Sequence, residues 1–138
     1  MKRALSLAVV VLLVVIQGTC FALWGIHPVS KEQARELGIE FRSTAGGPSQ
    51  VRVEMEFKLE GPLTKFSRVE LRFGLGDNPP VTAPLQEDRS KPGRVMVWFN
   101  ADRTQLDKIQ LWIFVPQSLG GTVYHLQAKD FVDLNKVP

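Results

Sequence analysis

Only one cysteine, Cys20, occurs in the 138-residue chain, and it lies within the first 22 residues. The remainder can form no internal disulfide and must rest on its hydrophobic core. Cysteine nucleophiles and thiolate metal sites are excluded there as well. Histidine is almost as scarce. His27 and His125 fall in no spaced metal motif, nothing resembles His-Glu-x-x-His or a calcium loop, and both read as surface or packing residues. A Gly-x-Ser-x-Gly nucleophile turn is missing. Gly74-Leu75-Gly76 begins like a phosphate loop but lacks the next glycine, and Pro79-Pro80 oppose the helix that should follow. Charge of one sign is also lacking. Lys and Arg total 17 against 14 Asp and Glu. Without Lys2 and Arg3 the excess is a single positive charge, which is no footprint for nucleic acid. No cofactor, no metal and no nucleic-acid partner are expected, and the chain reads as non-enzymatic.

The apolar run at the start is too short to span a membrane by itself. Ala4–Ile16 is thirteen residues long and apolar but for Ser6, against the ~20 that a spanning helix needs. Lys2 and Arg3 precede it, and Cys20-Phe21-Ala22 places small residues three and one before a cut after Ala22. This is the pattern of a secretory signal peptide. Residues 1–22 are therefore expected to be a leader and 23–138 a single exported domain, periplasmic or extracellular. An uncleaved N-terminal anchor is the alternative, and would be the only attachment to a membrane. Lipidation at Cys20 is disfavoured, because Gln17-Gly18-Thr19 lacks the aliphatic and small residues that precede a lipidated cysteine.

What the chain has in quantity is alternation. From Val51 to Glu60, Val51, Val53, Met55, Phe57 and Leu59 alternate with Arg52, Glu54, Glu56, Lys58 and Glu60. Successive side chains of a strand point to opposite faces, so this stretch is a strand with one dry and one wet face. A second strand follows Gly61-Pro62, with Val69, Leu71 and Phe73 inward, Arg68, Glu70 and Arg72 outward, and a bulge near Ser67 to accommodate Phe66. The two are expected to form a hairpin whose wet face pairs Glu54 and Glu56 with Arg68 and Arg72. Carboxylates beside arginines stay ionised, which suits no general acid.

Upstream, Leu23–Pro28 reads as an extended arm. Ser30-Lys31-Glu32-Gln33 is a capping box, and Gly38 stands where a glycine ends a helix, so the spacing predicts a two-turn helix over Lys31–Leu37. Ile39–Arg42 begins the sheet. Downstream, Gly74–Pro80 reads as a loop and Val81–Leu85, holding Pro84, as an edge strand. Val95–Phe99, Ile109–Val115 and Thr122–Lys129 are further strands. Asn100–Asp107 is a polar link with one helical turn and Leu106 tucked in. About seven strands separated by turn signals, after one short helix, predict an all-β sandwich of immunoglobulin-like or fibronectin-like architecture.

Two strands are apolar on both sides. Val95, Val97 and Phe99 oppose Met96 and Trp98. Ile109, Leu111, Ile113 and Val115 oppose Gln110, Trp112 and Phe114. If both lie in one sheet, Met96, Trp98, Trp112 and Phe114 form a single aromatic platform. The helix, the arm with Trp24 and Ile26, or the tail with Phe131 could cover it instead. Exposed, it suits a protein or a glycan of the cell envelope, because indole faces stack on sugars and also serve as protein hot spots. The functional expectation is thus a non-catalytic interaction module. A carbohydrate-binding module and a small hydrolase with an unrecognised site are the alternatives.

Overall fold

The computed structural model describes residues 24–137, so the expected leader and its cleavage site lie outside the described residues. Nine strands form two sheets. They are β1 (Trp24–Pro28), β2 (Ile39–Ala45), β3 (Gln50–Lys58), β4 (Arg68–Leu75), β5 (Asn78–Ala83), β6 (Gln86–Asp88), β7 (Arg94–Asp102), β8 (Ile109–Gln117) and β9 (Gly120–Gln127). The five-stranded sheet has the order β1-β9-β8-β4-β5, and the four-stranded sheet the order β2-β3-β7-β6. All pairings are antiparallel except β1 with β9.

The alternation of β3 does what it predicts. Val51, Val53, Met55 and Phe57 are buried against the other sheet, while Arg52, Glu54 and Glu56 are only half-buried on the outer side. Val95 and Val97 of β7 join them from the same sheet. Leu111 and Ile113 of β8, Leu71 of β4 and Leu126 of β9 face them across the sandwich. The helix also forms as its capping box requires. In α1 (Lys31–Glu36) the Ser30 hydroxyl accepts from the Gln33 N–H at 3.2 Å, and the Ser30 N–H donates to the Gln33 side chain at 2.9 Å. Gly38 follows with φ of +70°. Leu106 lies buried in a short 3-10 turn, Arg103–Lys108.

Three expectations need correction. First, β3 and β4 do not pair. The 3-10 turn Gly61–Leu63 carries the chain from one sheet to the other, with Leu63 fully buried beneath it. The partner of β4 on this side is β8, so Arg68 and Arg72 face Phe114 and Gln110 rather than the carboxylates of β3. Phe66 precedes the strand and packs edge-on against Phe57 at 5.0 Å, so no bulge at Ser67 is needed. The irregularity of β4 falls instead between Phe73 and Leu75. Second, two strands join the expected seven. The arm becomes β1, and the polar stretch after Leu85 supplies the three-residue β6 against β7. The expected Gly74–Pro80 loop shrinks to the Gly76-Asp77 turn, and the prolines of β5 are tolerated because it is an edge strand. Third, β7 and β8 lie in different sheets. Met96 and Trp98 therefore point out of one side of the sandwich, and Trp112 and Phe114 out of the other.

Leu111 contacts water nowhere in this fold. Leu111→Ala should lower unfolding stability by about 2–5 kcal/mol. Urea titration should show the loss as a lower midpoint with an unchanged slope.

Candidate functional site

The outer face of the five-stranded sheet carries most of the unusual chemistry. Trp112 and Phe114 reach it because they occupy the second phase of β8. On β4, Glu70 stands opposite Trp112 and Arg68 opposite Phe114. Glu70 holds both flanking arginines. It accepts from Arg68 Nε at 2.8 Å, and from Arg72 Nε and Nη2 at 3.1 and 2.7 Å. Each guanidinium lies over a ring. Arg72 sits 3.8 Å from the Trp112 centroid, and Arg68 3.9 Å from that of Phe114. One carboxylate thus fixes two cations, and each cation caps one aromatic ring, an attraction of ~0.5–2 kcal/mol apiece. Partial burial pushes the Glu70 carboxyl up, but the hydrogen bonds from Arg68 and Arg72, with their charges, outweigh it and hold the group below the usual carboxylate range.

β1 closes the other end of the patch. The Trp24 ring meets Phe114 edge-on at 5.7 Å and rests on Gly121, its partner across the ladder. A Cβ on Gly121 would lie 2.5 Å from the Trp24 ring and 2.7 Å from the Val115 carbonyl oxygen. A glycine within a strand marks such a close approach. Phe114 is consequently buried, while Trp112 stays half-exposed.

His125 occupies the next position on this face, opposite Trp112, with ring centroids 5.4 Å apart. Its Nε2 is buried, as is the side-chain oxygen of Gln127 two residues on, and neither finds a hydrogen-bond partner among the described residues. Burial first, and then the Arg72 charge, lower the His125 pKa below its ordinary value of 6.5. His27 lies on the inner phase of β1, in register with Tyr124, so the two histidines occupy opposite faces of the sheet.

The other half of the expected platform sits in a different setting. Met96 is flanked by Glu56 and Asp88, and Trp98 by Glu54 and Gln86. The Arg52 guanidinium stands 5.2 Å over the Trp98 ring, and Arg94 donates to Glu56 at 2.6 Å. This is a charged face with two apolar side chains embedded in it. Met96, Trp98, Trp112 and Phe114 therefore do not form one surface. Sequence reasoning places Arg68 and Arg72 on an outer face but connects neither them nor His125 to Trp112 and Phe114. The connection needs the β4–β8 pairing, which alternation alone does not specify. A separate cleft of about 350 Å³ between α1 and β1 is lined by His27, Glu36, Leu37 and Tyr124, but the Gln33 side chain at its rim is committed to the helix cap. No protein-family model matches the chain, and none of the curated proteins or solved structures compared with it does either.

Two outcomes are expected here. The folded state resists protonating His125, so the unfolded chain takes up the proton first. Stability present above about pH 6.5 should therefore fall as pH drops through the lowered pKa. NMR titration should find the imidazole below 6.5, and Arg72→Gln should move it part of the way back. Gly121→Ala should cost about 1–3 kcal/mol by overpacking, seen in thermal melts, with a red shift of Trp24 emission as its ring is displaced.

Proposed function

We propose that this chain is an exported, non-catalytic interaction module with an immunoglobulin-like sandwich, which engages a protein partner of the cell envelope through the outer face of the five-stranded sheet. The strand orders support the architecture. β2-β3-β7-β6 follows the A-B-E-D order of such a sandwich, and β9-β8-β4-β5 follows G-F-C with an added C′ strand. β1 extends the G edge in parallel. Export rests on the leader pattern read from residues 1–22.

The observation that carries the reading is the clamp at Glu70. Binding hot spots are enriched in Trp, Tyr and Arg near the centre of a desolvated patch. Here two arginines and two aromatics are assembled before any partner arrives. Glu70 and the rings already restrict Arg68 and Arg72, so less side-chain entropy remains to be lost on binding. The same clamp disfavours the carbohydrate alternative on this face. A sugar ring would have to displace the guanidinium that covers Trp112 at 3.8 Å. A protein partner needs no such displacement, because it can pair a carboxylate with the outer edge of either arginine.

The test is capture from an envelope fraction with the full chain as bait. Trp112→Ala, and separately Arg68→Ala with Arg72→Ala, should weaken retention of a specific partner at least tenfold. Trp98→Ala, on the opposite side of the sandwich, should leave it unchanged. Folded variants that keep every partner would overturn the reading. Binding on a glycan panel that Trp112→Ala abolishes would transfer the site to carbohydrate.

A further inference from the structure

Five large apolar side chains stand exposed among the described residues, and three of them gather at one corner. Trp24 is 37% exposed, Ile26 55% and Leu119 74%. Trp24 and Ile26 share the outer phase of β1, in register with Gly121 and Val123. Leu119 lies in the tight turn between β8 and β9, two residues before the glycine on which the Trp24 ring rests. β1 is also an edge strand with no charged side chain and no interior proline, the usual means of blunting an edge. The other three edges carry such protection: prolines on β5, Glu40 and Arg42 on β2, Glu87 and Asp88 on β6.

The same corner is where the chain enters the domain. Ala4–Leu23, immediately before Trp24, is twenty residues without a charge, with Ser6, Gln17 and Thr19 its hydroxyl and amide members. The thirteen-residue apolar core is short of a span, but with the uncharged Gln17–Leu23 added the stretch reaches the ~20 residues a span needs. Even counted from Ile16, only seven residues intervene, a reach of at most about 25 Å. A bilayer holding that segment therefore lies within this reach of Trp24. Trp is the residue enriched at membrane–water interfaces, where its ring stays apolar and its N–H stays wet.

We propose that the corner of Trp24, Ile26 and Leu119 lies in the interfacial layer of a phospholipid bilayer into which the N-terminal segment is inserted, so that the segment is retained as an anchor and the sandwich stands edge-on to the membrane. The free backbone edge of β1 sets the depth. Its unpaired N–H and C=O groups need water or headgroups, which excludes the hydrocarbon interior. Arg68, with its side chain 55% exposed on the same face, then stands at the membrane-proximal end of the Trp112 patch. This orientation turns the Trp112 patch parallel to the membrane normal and leaves it open to a partner. It depends on retention of the N-terminal segment and not on the identity of that partner.

The experiment uses the full 138-residue chain in phosphatidylcholine vesicles with and without lipid brominated near the headgroup end of the acyl chains. Trp98→Phe with Trp112→Phe leaves Trp24 as reporter, and Trp24→Phe with Trp112→Phe leaves Trp98. Emission from Trp24 should fall at least twofold in brominated vesicles, and that from Trp98 should not change. Ile26→Ser with Leu119→Ser should reduce the Trp24 quenching while the chain still floats with the vesicles. If a reporter variant loses its strand circular dichroism, the difference in quenching between the unaltered chain and Trp24→Phe gives the same reading. Equal quenching of the two reporters would overturn the proposal. So would a chain recovered from producing cells without residues 1–22. Trp24 shielded from iodide in vesicle-free buffer, together with a dimer mass by light scattering, would assign the corner to a second copy instead.

Discussion

Trp112 and Phe114 would each forfeit ~1.5–3 kcal/mol if left in water, and their strand cannot turn them inward, because Ile109, Leu111, Ile113 and Val115 already fill that side. A sandwich has two layers, so the outer side of β8 has no third layer to cover it. The neighbours cover it instead. From β4 come two guanidiniums laid over the rings, and from β9 comes a glycine that lets Trp24 of β1 approach Phe114. The methylene stems of Arg68 and Arg72 exclude water while their charged heads remain wet. The cover is therefore partial by construction. Phe114, covered from both sides, is buried, and Trp112, with Arg72 over its ring, His125 and Phe114 beside it and its N–H donating to Gln110 at 3.0 Å, stays partly exposed.

The two faces of the sandwich use charge differently. On the four-stranded sheet, Arg52 pairs with Glu54 and Arg94 with Glu56 as partly exposed ion pairs, contacts that serve mainly to keep the face solvated. Glu56 is held below the usual carboxylate range chiefly by the Arg94 hydrogen bond. On the five-stranded sheet, one carboxylate serves two arginines, and both arginines do a second job over a ring. Loss of Glu70 would release two cations from two aromatics at once, which ties the electrostatics of this face to its packing. A set of residues that share one partner is coupled rather than additive.

Much of this was readable in the chain, and the unread parts have a common cause. The period-2 pattern of Val51–Glu60 specifies a strand and its faces, although the strand itself ends at Lys58, and the Ser30–Gln33 box specifies the start of α1, because both signals are local. Alternation assigns a side chain to a face but not to a neighbour. For that reason the pattern alone matches the arginines of β4 to the carboxylates of β3, the nearest strand in sequence, and joins Met96 and Trp98 with Trp112 and Phe114. The turn at Gly61–Leu63 decides the matter by burying Leu63 and sending the chain across to the other sheet. β1 was legible only as extended backbone, since five residues ending in proline carry too little pattern to show a parallel partner. The role of Gly121 was not visible at all, because a ring lying on a glycine leaves no mark in either sequence pattern.

β1 then matters more than its five residues suggest. It adds a strand to the sheet, supplies the ring that buries Phe114, and joins the domain to the apolar segment ahead of it. Its pairing with β9 is parallel, so its chain direction brings Trp24 to the β8–β9 turn and Pro28 to the α1 side of the sandwich. An antiparallel β1 would reverse this and deliver the N-terminal segment beside α1, away from Leu119. The hydrogen-bond polarity of one short strand thus decides which corner of the domain meets whatever the N-terminal segment occupies. The aromatic cover of β8 and the exposed apolar corner follow from the same placement, because Trp24 belongs to both. A change that loosens β1 should therefore disturb the patch around Phe114 and the corner together, whereas a change on β7 should reach neither.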